Sequence, residues 1–528
     1  MLRKIRIVLA AIFFVGITLL FLDFTGIFHH WLGWMAKIQF LPALLAFNVI
    51  VVIALALITF VFGRLYCSVI CPMGVFQDII AWFSTRKKKN RYRPTKAKNI
   101  LRYVSLGIFA LLMLLGVHSI AILIAPYSAY GRIAQNVFAP VYQGVNNILA
   151  YFAERADSYA FYSTDVWIRS IPTFVIALVT LIGIGVLSWR GGRTWCNTIC
   201  PVGTVLGFIS RFSLFKPVID HDKCIKCHAC EKRCKASCID IDAKTLDSSR
   251  CVACMNCIGN CKKGAISYRF ASPFAKSAVD ETSIKTVKSE ESSAEEKQPQ
   301  ASAEPEKTVE NTSDRAPVSS ARRGFLLSLP ALAISAVAHA DDKTTDGGLA
   351  ELKPRQNPDR GEFTLKPAGS RSFKNFSTRC TGCQLCVANC PNGVLRPSTS
   401  LISLMQPEMQ FDKGFCRPEC NRCSQVCPAG AIQPVSKAEK NSIQIGHAEW
   451  HFHSCLVTAE GIACGNCARH CPNGAIILVE QDGPDGKKLQ VPSVDIERCI
   501  GCGACEYVCP VRPVSAITVV GHEVHKEV

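Results

Sequence analysis

Four apolar stretches dominate the first 190 residues of this 528-residue chain, at about 5–22, 41–62, 103–125 and 171–189. A helix needs about 20 residues to cross a bilayer, so each stretch is long enough to do so. A buried core helix is the other interpretation, but the second stretch has only Asn48 and Thr59 as polar interruptions from Ala43 onward. The pattern predicts an α-helical transmembrane bundle of four spans over residues 1–212.

Basic residues predict the orientation of these spans. Arg3, Lys4 and Arg6 lie at the start of the first stretch, and a strongly basic loop, 86–102, separates the second from the third. Loops rich in Lys and Arg stay in the cytoplasm, so both belong there, in this case beneath a bacterial inner membrane. The fourth stretch ends at Arg190, so we expect the next region, 213–271, to be cytoplasmic too.

A change of composition marks the middle of the chain. Residues 272–319 carry almost no large apolar side chains and predict a disordered linker. Arg322 and Arg323 follow, with an apolar run and Ala338-His339-Ala340, which resembles a twin-arginine export signal. Segment 320–340 is therefore predicted to be a signal or anchor that places residues 341–528 in the periplasm. The alternative is a short amphipathic segment, and cleavage after Ala340 stays open.

The 29 cysteines fall in tight bursts and indicate the chemistry. Runs of four cysteines two or three residues apart are the spacing with which a loop wraps one metal cluster, which argues against disulfides. Two CxxC pairs can also hold one zinc ion, but a third CxxC step followed by CxxxC is typical of iron-sulfur proteins. The sequence therefore predicts six [4Fe-4S] clusters.

Residues 213–271 predict a bacterial two-cluster ferredoxin-like α+β domain. Its two motifs are Cys224, Cys227, Cys230, Cys234 and Cys251, Cys254, Cys257, Cys261. In such folds the fourth cysteine of each motif binds the other cluster, so Cys261 is expected with the first motif and Cys234 with the second. Lys235 and Lys262 stand where proline is usual. Cys238 is a spare thiol, either a buried small hydrophobe or an alternative ligand.

One competing motif in this domain is a haem-attachment pattern. Cys224 to His228 reads CxxCH, which is the sequence that binds a c-type haem. Cys230 and Cys234 continue the cluster spacing, and the predicted cytoplasmic side is the wrong compartment for haem attachment. We therefore interpret these cysteines as cluster ligands.

Residues 341–528 predict a four-cluster ferredoxin-like α+β domain. Its sixteen motif cysteines are Cys380, Cys383, Cys386, Cys390; Cys416, Cys420, Cys423, Cys427; Cys455, Cys464, Cys467, Cys471; and Cys499, Cys502, Cys505, Cys509. A proline follows the fourth cysteine each time, as in bacterial ferredoxins. The motifs pair either first with second and third with fourth, or first with fourth and second with third, and the sequence leaves both open.

A sequence repeat lies in the predicted membrane part. The motif G-R-x-[YW]-C-x3-C-P-x-G occurs at 63–74 and at 192–203, which indicates an internal duplication. Its four cysteines are Cys67, Cys71, Cys196 and Cys200. They are a candidate additional redox or metal site if they converge, and otherwise belong to a structural turn with proline at a helix start.

Three histidines in or beside the spans are candidates for a quinol site. His118 lies in the outer half of the third stretch, and His29 and His30 follow the first. The alternative is that such a histidine is a hydrogen-bonded packing residue.

These motifs resemble two known families. The first 270 residues, with the doubled CxxxCP and the two-cluster ferredoxin, resemble NapH/MauN-type membrane ferredoxins, and the tail resembles NapG/MauM-type exported four-cluster ferredoxins. The chain thus looks like a fusion of two partners. The resemblance implies that quinol or menaquinol from the quinone pool of the membrane lipid is oxidised, and that electrons pass through the clusters to a periplasmic reductase, such as nitrate reductase, or to a cytochrome acceptor. The second and third tail motifs depart from the usual NapG spacing, which leaves the particular partner open.

Two other functional classes stay in view. CcoG-like membrane ferredoxins carry CxxxCP and reduce metal during assembly of an oxidase, and Rnf-type complexes are ferredoxin-linked but carry a flavin-attachment signal that is missing here. The net charge of +18 does not indicate nucleic acid, because the basic residues cluster beside apolar stretches. No molybdopterin, flavin or dinucleotide motif is present, so the terminal reductase is expected to be another protein.

Overall fold

The computed structural model describes residues 2–23, 26–87, 92–158, 161–164, 166–271, 345–346, 350–351, 353–361, 363–483 and 488–527. Residues 1–270 and 340–528 form one compact unit. The predicted linker, 272–319, and the twin-arginine segment, 320–340, lie outside the described residues.

Helices make up the first 212 residues. They are α1 Leu2–Leu22, α2 Ile27–Leu32, α3 Trp34–Lys37, α4 Phe40–Leu45, α5 Val49–Phe62, α6 Leu65–Val69, α7 Pro72–Lys87, α8 Asn99–Leu114, α9 His118–Ala121, α10 Pro126–Ile133, α11 Ala139–Arg155, α12 Ile171–Gly191, α13 Thr194–Thr198 and α14 Pro201–Ser210. A π-helical turn, Ala134–Phe138, joins α10 to α11. Proline is the first residue of α7, α10 and α14, where its missing N–H costs no hydrogen bond.

Two of these helices, α1 and α12, are long and apolar enough to cross a membrane. The prediction of four such spans is therefore wrong, because the second and third apolar stretches are broken into shorter helices. Asn48 separates α4 from α5, and its side chain accepts a hydrogen bond from the Val51 N–H at 3.3 Å. Gly116, at φ +78°, turns the chain between α8 and α9.

The ferredoxin module, 213–271, is built from short antiparallel pairs around the cysteine loops. Strands β1 Phe215–Ile219 and β4 Ile266–Phe270 pair along their full length, and β2 Ile239–Asp240 pairs with β3 Thr245–Leu246. One short helix, α15 Asn256–Asn260, follows the second motif loop. The β1–β4 pair brings the start and end of the module together and encloses both motifs.

The tail module, 353–527, repeats this plan with more elements. Its helices are α16 Phe373–Arg379, α17 Leu385–Ala388, α18 Arg422–Val426, α19 Lys437–Ser442, α20 Leu456–Ala459, α21 Asn466–Arg469 and α22 Ala504–Val508. Its strands are β7 Leu395–Pro397, β8 Pro407–Met409, β9 Ile443–Trp450, β10 Ile476–Asp482, β11 Lys488–Val494 and β12 Ile517–Glu527, and a small pair, β5 Thr345–Asp346 with β6 Ala350–Glu351, precedes them. The pairs are β7–β8, β10–β11 and β9–β12, all antiparallel.

The two modules contact opposite ends of the helices. At one end, Phe62 stacks on Phe215 of the ferredoxin module, with ring centroids 5.9 Å apart. At the other, the Asn136 amide donates to Gln384 of the tail module at 2.8 Å, and Arg379 lies over the Phe47 ring. Helix α1 spans about 30 Å between these ends, given a rise of about 1.5 Å per residue.

All four predicted apolar stretches run between these two ends. The second begins near Phe47 at the tail end and reaches Phe62 at the ferredoxin end. In the third, Arg102 bonds Ser249 of the ferredoxin module, and Ser119 bonds the Leu401 carbonyl of the tail module. The helix bundle therefore separates the two cysteine-rich modules.

Candidate iron-sulfur sites

The ferredoxin module exchanges cysteines between its two motifs. Cys261, from the second motif, lies close enough to Cys230 of the first to interact with it electrostatically. Cys234 is the last cysteine of the first motif, and it interacts in the same way with Cys254 and Cys257. This is the grouping that cross-binding of two clusters requires.

The CxxCxxC loops share an unusual backbone. In each of the four loops with this spacing, the residues immediately before and after the second cysteine have positive φ. These residues are Lys226 and His228, Ala253 and Met255, Gly382 and Gln384, and Gly501 and Gly503. Five of the eight are not glycine, and such residues persist at positive φ only where the surroundings impose it, commonly at functional sites. The four loops therefore share one local backbone conformation around their second cysteine.

In the tail module the first motif pairs with the second. Group A contains Cys380, Cys383, Cys386 and, from the second motif, Cys427, which interacts electrostatically with the other three. Group B contains Cys416, Cys420, Cys423 and, from the first motif, Cys390. The structure therefore favours the first of the two pairings that the sequence left open.

The third motif pairs with the fourth in the same way. Group C consists of Cys471, Cys499, Cys502 and Cys505, and all four line one small apolar cavity. Group D consists of Cys455, Cys464, Cys467 and Cys509, which line another. Helix α20 lies between Cys455 and Cys464, where the first gap of the third motif is wider than in the other motifs. Cys455 still interacts electrostatically with Cys467 of its group.

The four groups follow one another outward from the helix bundle. Group A is next to the bundle, because a side chain at Gly131 would come within 2.4 Å of the Cys383 carbonyl oxygen. Groups A and B share their motifs, and the Cys416 N–H of group B donates to the Cys502 carbonyl of group C at 3.0 Å. Groups C and D again share motifs. The order is therefore A, B, C, D.

Cationic side chains lie beside groups A and B. Lys366 is 1% exposed and Arg132 is fully buried, and each interacts electrostatically with a cysteine of group A. Arg169 interacts with Cys386 and Cys390, and Lys440 with Cys416. Burial lowers the pKa of Lys366 to about 8. Positive charge near a cluster raises its reduction potential, so a cluster held by group A or group B would be easier to reduce.

The sulfur atoms also receive backbone hydrogen bonds of the kind that cluster ligands receive. Ala265 N–H donates to Cys261 Sγ and Ala475 N–H to Cys471 Sγ, both at 3.2 Å. Without iron, burial raises the pKa of Cys230 and Cys383 to about 11, so the thiolate that binds metal is disfavoured until a cluster stabilises it. The donor set and its backbone support fit [4Fe-4S] clusters.

The CxxxCP repeats bring a further set of thiols together. The four-thiol site consists of Cys67, Cys71, Cys196 and Cys200, all 3–4% exposed. Cys200 interacts electrostatically with the other three. It also accepts a hydrogen bond on Sγ from Gly203 N–H at 3.3 Å. The sequence left open whether these four thiols converge, and in the structure they do.

The two repeats are locked together by a reciprocal pair of arginines. Arg64 of the first repeat donates to the Cys196 carbonyl of the second at 3.2 Å, and Arg193 of the second donates to the Cys67 carbonyl of the first at 2.7 Å. Both side chains are fully buried. Sequence reasoning missed these two arginines, although their place in the repeated motif was the available signal.

The four-thiol site also adjoins the ferredoxin module. Arg64 bonds the Ser249 carbonyl, two residues before Cys251, at 3.1 Å. Asp78 of α7 forms ion pairs with Arg6 at 3.1 Å, Arg193 at 2.7 Å and Lys235 at 3.3 Å. Lys235 directly follows the cluster motif cysteine Cys234. The ferredoxin thiol group that contains Cys234 and the first three cysteines of the second motif therefore lies directly against the repeats.

Cys238 lies between two motif cysteines. Its sulfur is 3.5 Å from that of Cys234, and it also interacts with Cys251. It is 4% exposed, in line with the interpretation as a small buried residue. Either thiol could donate the hydrogen bond between Cys234 and Cys238, but when Cys234 binds iron as a thiolate only Cys238 has a proton to donate. The hydrogen bond from Cys238 lowers the pKa of Cys234 to about 7.

The histidine candidates separate in the structure. His118 is 9% exposed, and its Nδ1 lies 3.2 Å from the sulfur of Met113. His29 and His30 line a cavity against the tail module.

Among the described residues, no group of three or more His, Cys, Asp or Glu side chains is arranged to hold a single metal ion.

Families of known proteins match both parts of the chain. A 4Fe-4S binding domain matches twice, at 44–91 and 173–219, and each match contains one CxxxCP repeat. A 4Fe-4S dicluster domain matches at 379–431 and 462–512, and a second family of that description matches at 415–476. The first of the two segments of the first family contains all of groups A and B, and the second contains groups C and D except Cys455. No solved structure matches the chain.

Several characterised relatives are ferredoxin-type proteins. The methylamine utilization ferredoxin-type protein MauM of Methylobacillus flagellatus is 32% identical over 170 residues, which is 31% of this chain and 70% of MauM. MauM of Methylophilus methylotrophus is 33% identical over 171 residues, 31% of this chain and 72% of that protein. The ferredoxin-type protein NapG of Escherichia coli is 29% identical over 177 residues, 31% of this chain and 76% of NapG. This chain therefore belongs to the family of [4Fe-4S] ferredoxin-type proteins that includes MauM.

Proposed function

We propose that this protein is a membrane-bound electron carrier that passes electrons from quinol through [4Fe-4S] clusters to a periplasmic reductase. The observation that carries the proposal is the series of thiol groups A, B, C and D, which leads away from an apolar helix bundle. Clusters that follow one another in this way serve to move electrons, and each carries one electron at a time. Quinol dissolves in the bilayer and can therefore reach an apolar helix bundle, which makes quinol the expected electron donor.

The 24 motif cysteines are proposed to hold six clusters. Two belong to the ferredoxin module and four to groups A to D. The pairing of motifs, the left-handed loop residues and the amide hydrogen bonds to sulfur all support this assignment.

The four-thiol site is proposed to hold a seventh [4Fe-4S] cluster. Such a cluster with four thiolates carries excess negative charge, and the buried guanidinium groups of Arg64 and Arg193 offset it. The match of both repeats to a 4Fe-4S binding domain supports the same identity. A cluster here would connect the ferredoxin module with the bundle interior.

The location follows from the apolar helices. Helices α1 and α12 are proposed to cross the bacterial inner membrane, with the ferredoxin module in the cytoplasm and the tail module in the periplasm. Basic residues in the first turns of α1 and at the end of α12 support this orientation, because they lie at the ferredoxin end. On this basis the first 270 residues are a NapH/MauN-type part fused to a NapG/MauM-type tail.

Anaerobic purification with iron and sulfide counting tests the clusters. We expect about 28 irons per chain if the four-thiol site holds a cluster and about 24 if only the motif cysteines do. Replacing Cys67 and Cys196 together by serine should remove about four irons and leave the others. An unchanged iron content in this variant would exclude the seventh cluster.

Reduction by quinol tests the function. Addition of a water-soluble menaquinol analogue should bleach the visible absorbance of the clusters and produce EPR signals of reduced [4Fe-4S]. If quinol fails and only a low-potential ferredoxin donor reduces the clusters, the proposal is wrong, and a ferredoxin-linked complex or an assembly factor takes its place.

A further inference from the structure

A cavity of about 560 Å³ lies between the segment after α1 and the tail module. Its wall on the bundle side includes His29, His30, Trp34 and Lys37, and its wall on the tail side includes Arg422 and Gln425. These walls are nearly 400 residues apart in sequence. A cavity of this size falls in the range of ligand-binding sites, which are about 300–1,000 Å³.

The tail wall of the cavity belongs to groups A and B. Arg422 and Gln425 flank Cys423, a member of group B. Val426 lines the cavity and precedes Cys427 of group A, and Asn389 lines it and precedes Cys390 of group B. The wall that a molecule in the cavity would contact therefore consists of chain neighbours of cysteines in both groups.

The bundle wall adjoins a surface suited to lipid. Trp31 is 73% exposed and Trp34 50% exposed, and Ile27 and Phe28 beside them are also exposed. Tryptophans of this kind concentrate at the membrane–water interface. His30, Lys37 and Arg422 supply polar and cationic groups in the same cavity. The combination fits a ligand with an apolar chain and a polar ring.

One wall carries a shielded proton acceptor. His29 Nδ1 is buried and has no hydrogen-bond partner among the described residues. The segment that holds it is fixed by Asp23, whose carboxylate accepts from the Gly26 N–H at 2.7 Å and the His29 N–H at 3.3 Å. Desolvation, followed by the nearby Lys37, lowers the pKa of His29 against the opposing effects of the Gln425 backbone and Asp23, and this favours the neutral imidazole.

We propose that this cavity is the site at which quinol is bound and oxidised, with His29 as the acceptor of its first proton. The inference rests on the proposed function and adds the location of the site. The two O–H bonds of the quinol break, and the ring becomes a quinone with two C=O groups. One proton goes to His29 and the other to water at the cavity mouth. The two electrons leave one at a time toward the one-electron acceptors in groups A and B.

Three variants of the full-length protein test the site. His29→Gln removes the proton acceptor, and Gln425→Trp fills the cavity from an exposed position on α18. His118→Gln is the matched control, because it removes a histidine that does not line the cavity. Correct assembly of each variant is checked by its iron content and by full reduction of its clusters with dithionite.

Two readouts are used. Binding is followed by the fluorescence quenching of heptyl hydroxyquinoline N-oxide, which is a quinol analogue. Electron entry is followed by the rate at which a menaquinol analogue bleaches the clusters. We expect Gln425→Trp to abolish probe binding, and His29→Gln to slow bleaching about a hundredfold. His118→Gln should resemble the parent in both.

The outcomes separate the two proposals. If quinol reduces the clusters of the parent, and His29→Gln and Gln425→Trp behave as the parent does, the cavity is not the site and the proposed function stands. If His118→Gln alone loses quinol-driven reduction, the site lies at α9 instead. If quinol does not reduce the parent, both proposals are overturned.

Discussion

Lys235 occupies the position after a fourth motif cysteine, where proline is usual, and the structure provides the reason. Its ammonium group pairs with Asp78 of α7 at 3.3 Å, and its carbonyl accepts from the Arg193 N–H at 2.9 Å. Proline could make only the second contact. The exchange therefore connects the ferredoxin module to the helix bundle through one residue next to a cluster ligand.

Cys238 contacts the expected cluster ligand Cys234 through a hydrogen bond between the two sulfur atoms. Because its thiol donates to ligand sulfur, it should raise the reduction potential of the cluster that Cys234 serves. We expect Cys238→Ala to lower that potential while the iron content stays unchanged, as measured by an EPR-monitored redox titration. Loss of about four irons would instead identify Cys238 as a ligand.

Cys238→Ser is the matched control for this prediction. Serine keeps a donor at the same position, so the shift should be smaller than in the alanine variant. Equal shifts in the two variants would mean that packing, and not the hydrogen bond, sets the potential.

At the scale of elements, each repeat folds back on its own thiol-bearing turn so closely that only glycine fits at equivalent positions. A Cβ at Gly74 would lie 2.2 Å from the Cys67 carbonyl oxygen, and one at Gly203 would lie 2.3 Å from that of Cys196. Both contacts are with backbone, which cannot rotate away. The first turns of α7 and α14 are therefore held against the thiol-bearing loops.

Gly74→Ala should destabilise the protein by about 1–3 kcal/mol, because the helix must move to admit the methyl group. Thermal unfolding in detergent, followed by circular dichroism, measures this loss. Gly183→Ala in α12 is the control, since no atom lies within 4 Å of the added carbon there. In a helix this exchange is neutral or stabilising by up to about 1 kcal/mol. Equal effects at the two positions would contradict the close packing of α7 on the thiol-bearing turn of its own repeat.

The whole molecule has two cysteine-rich modules at opposite ends of one bundle, and this arrangement predicts their sidedness. In intact spheroplasts, trypsin should digest the tail module and spare the ferredoxin module. Inverted vesicles should give the reverse. Immunoblotting with an antibody to each module measures both, and digestion of both modules from the same side would contradict the proposed orientation.

At this scale the sequence was informative about modules but not about their contacts. Local spacing predicted the cysteine motifs, their exchange in the ferredoxin module and the repeat, because each is encoded within a few tens of residues. The breaks at Asn48 and Gly116 were underestimated, since hydropathy averages over single residues. The cavity joins His29 to Gln425, and no local pattern links positions so far apart.

The reciprocal arginines have a consequence for the origin of the bundle. A helical hairpin with a single repeat would carry two thiols and one arginine, and that arginine would lack the carbonyl that it bonds in the other repeat. Two copies of such a hairpin would supply these carbonyls to each other in a symmetric homodimer. Fusion of the copies into one chain frees them to diverge. Asp78 of the first copy binds Arg193, whereas Gly207, its equivalent in the second, leaves room for Arg102, whose guanidinium would lie 2.6 Å from an added Cβ. Both differences hold the ferredoxin module, because Asp78 pairs with Lys235 and Arg102 bonds Ser249.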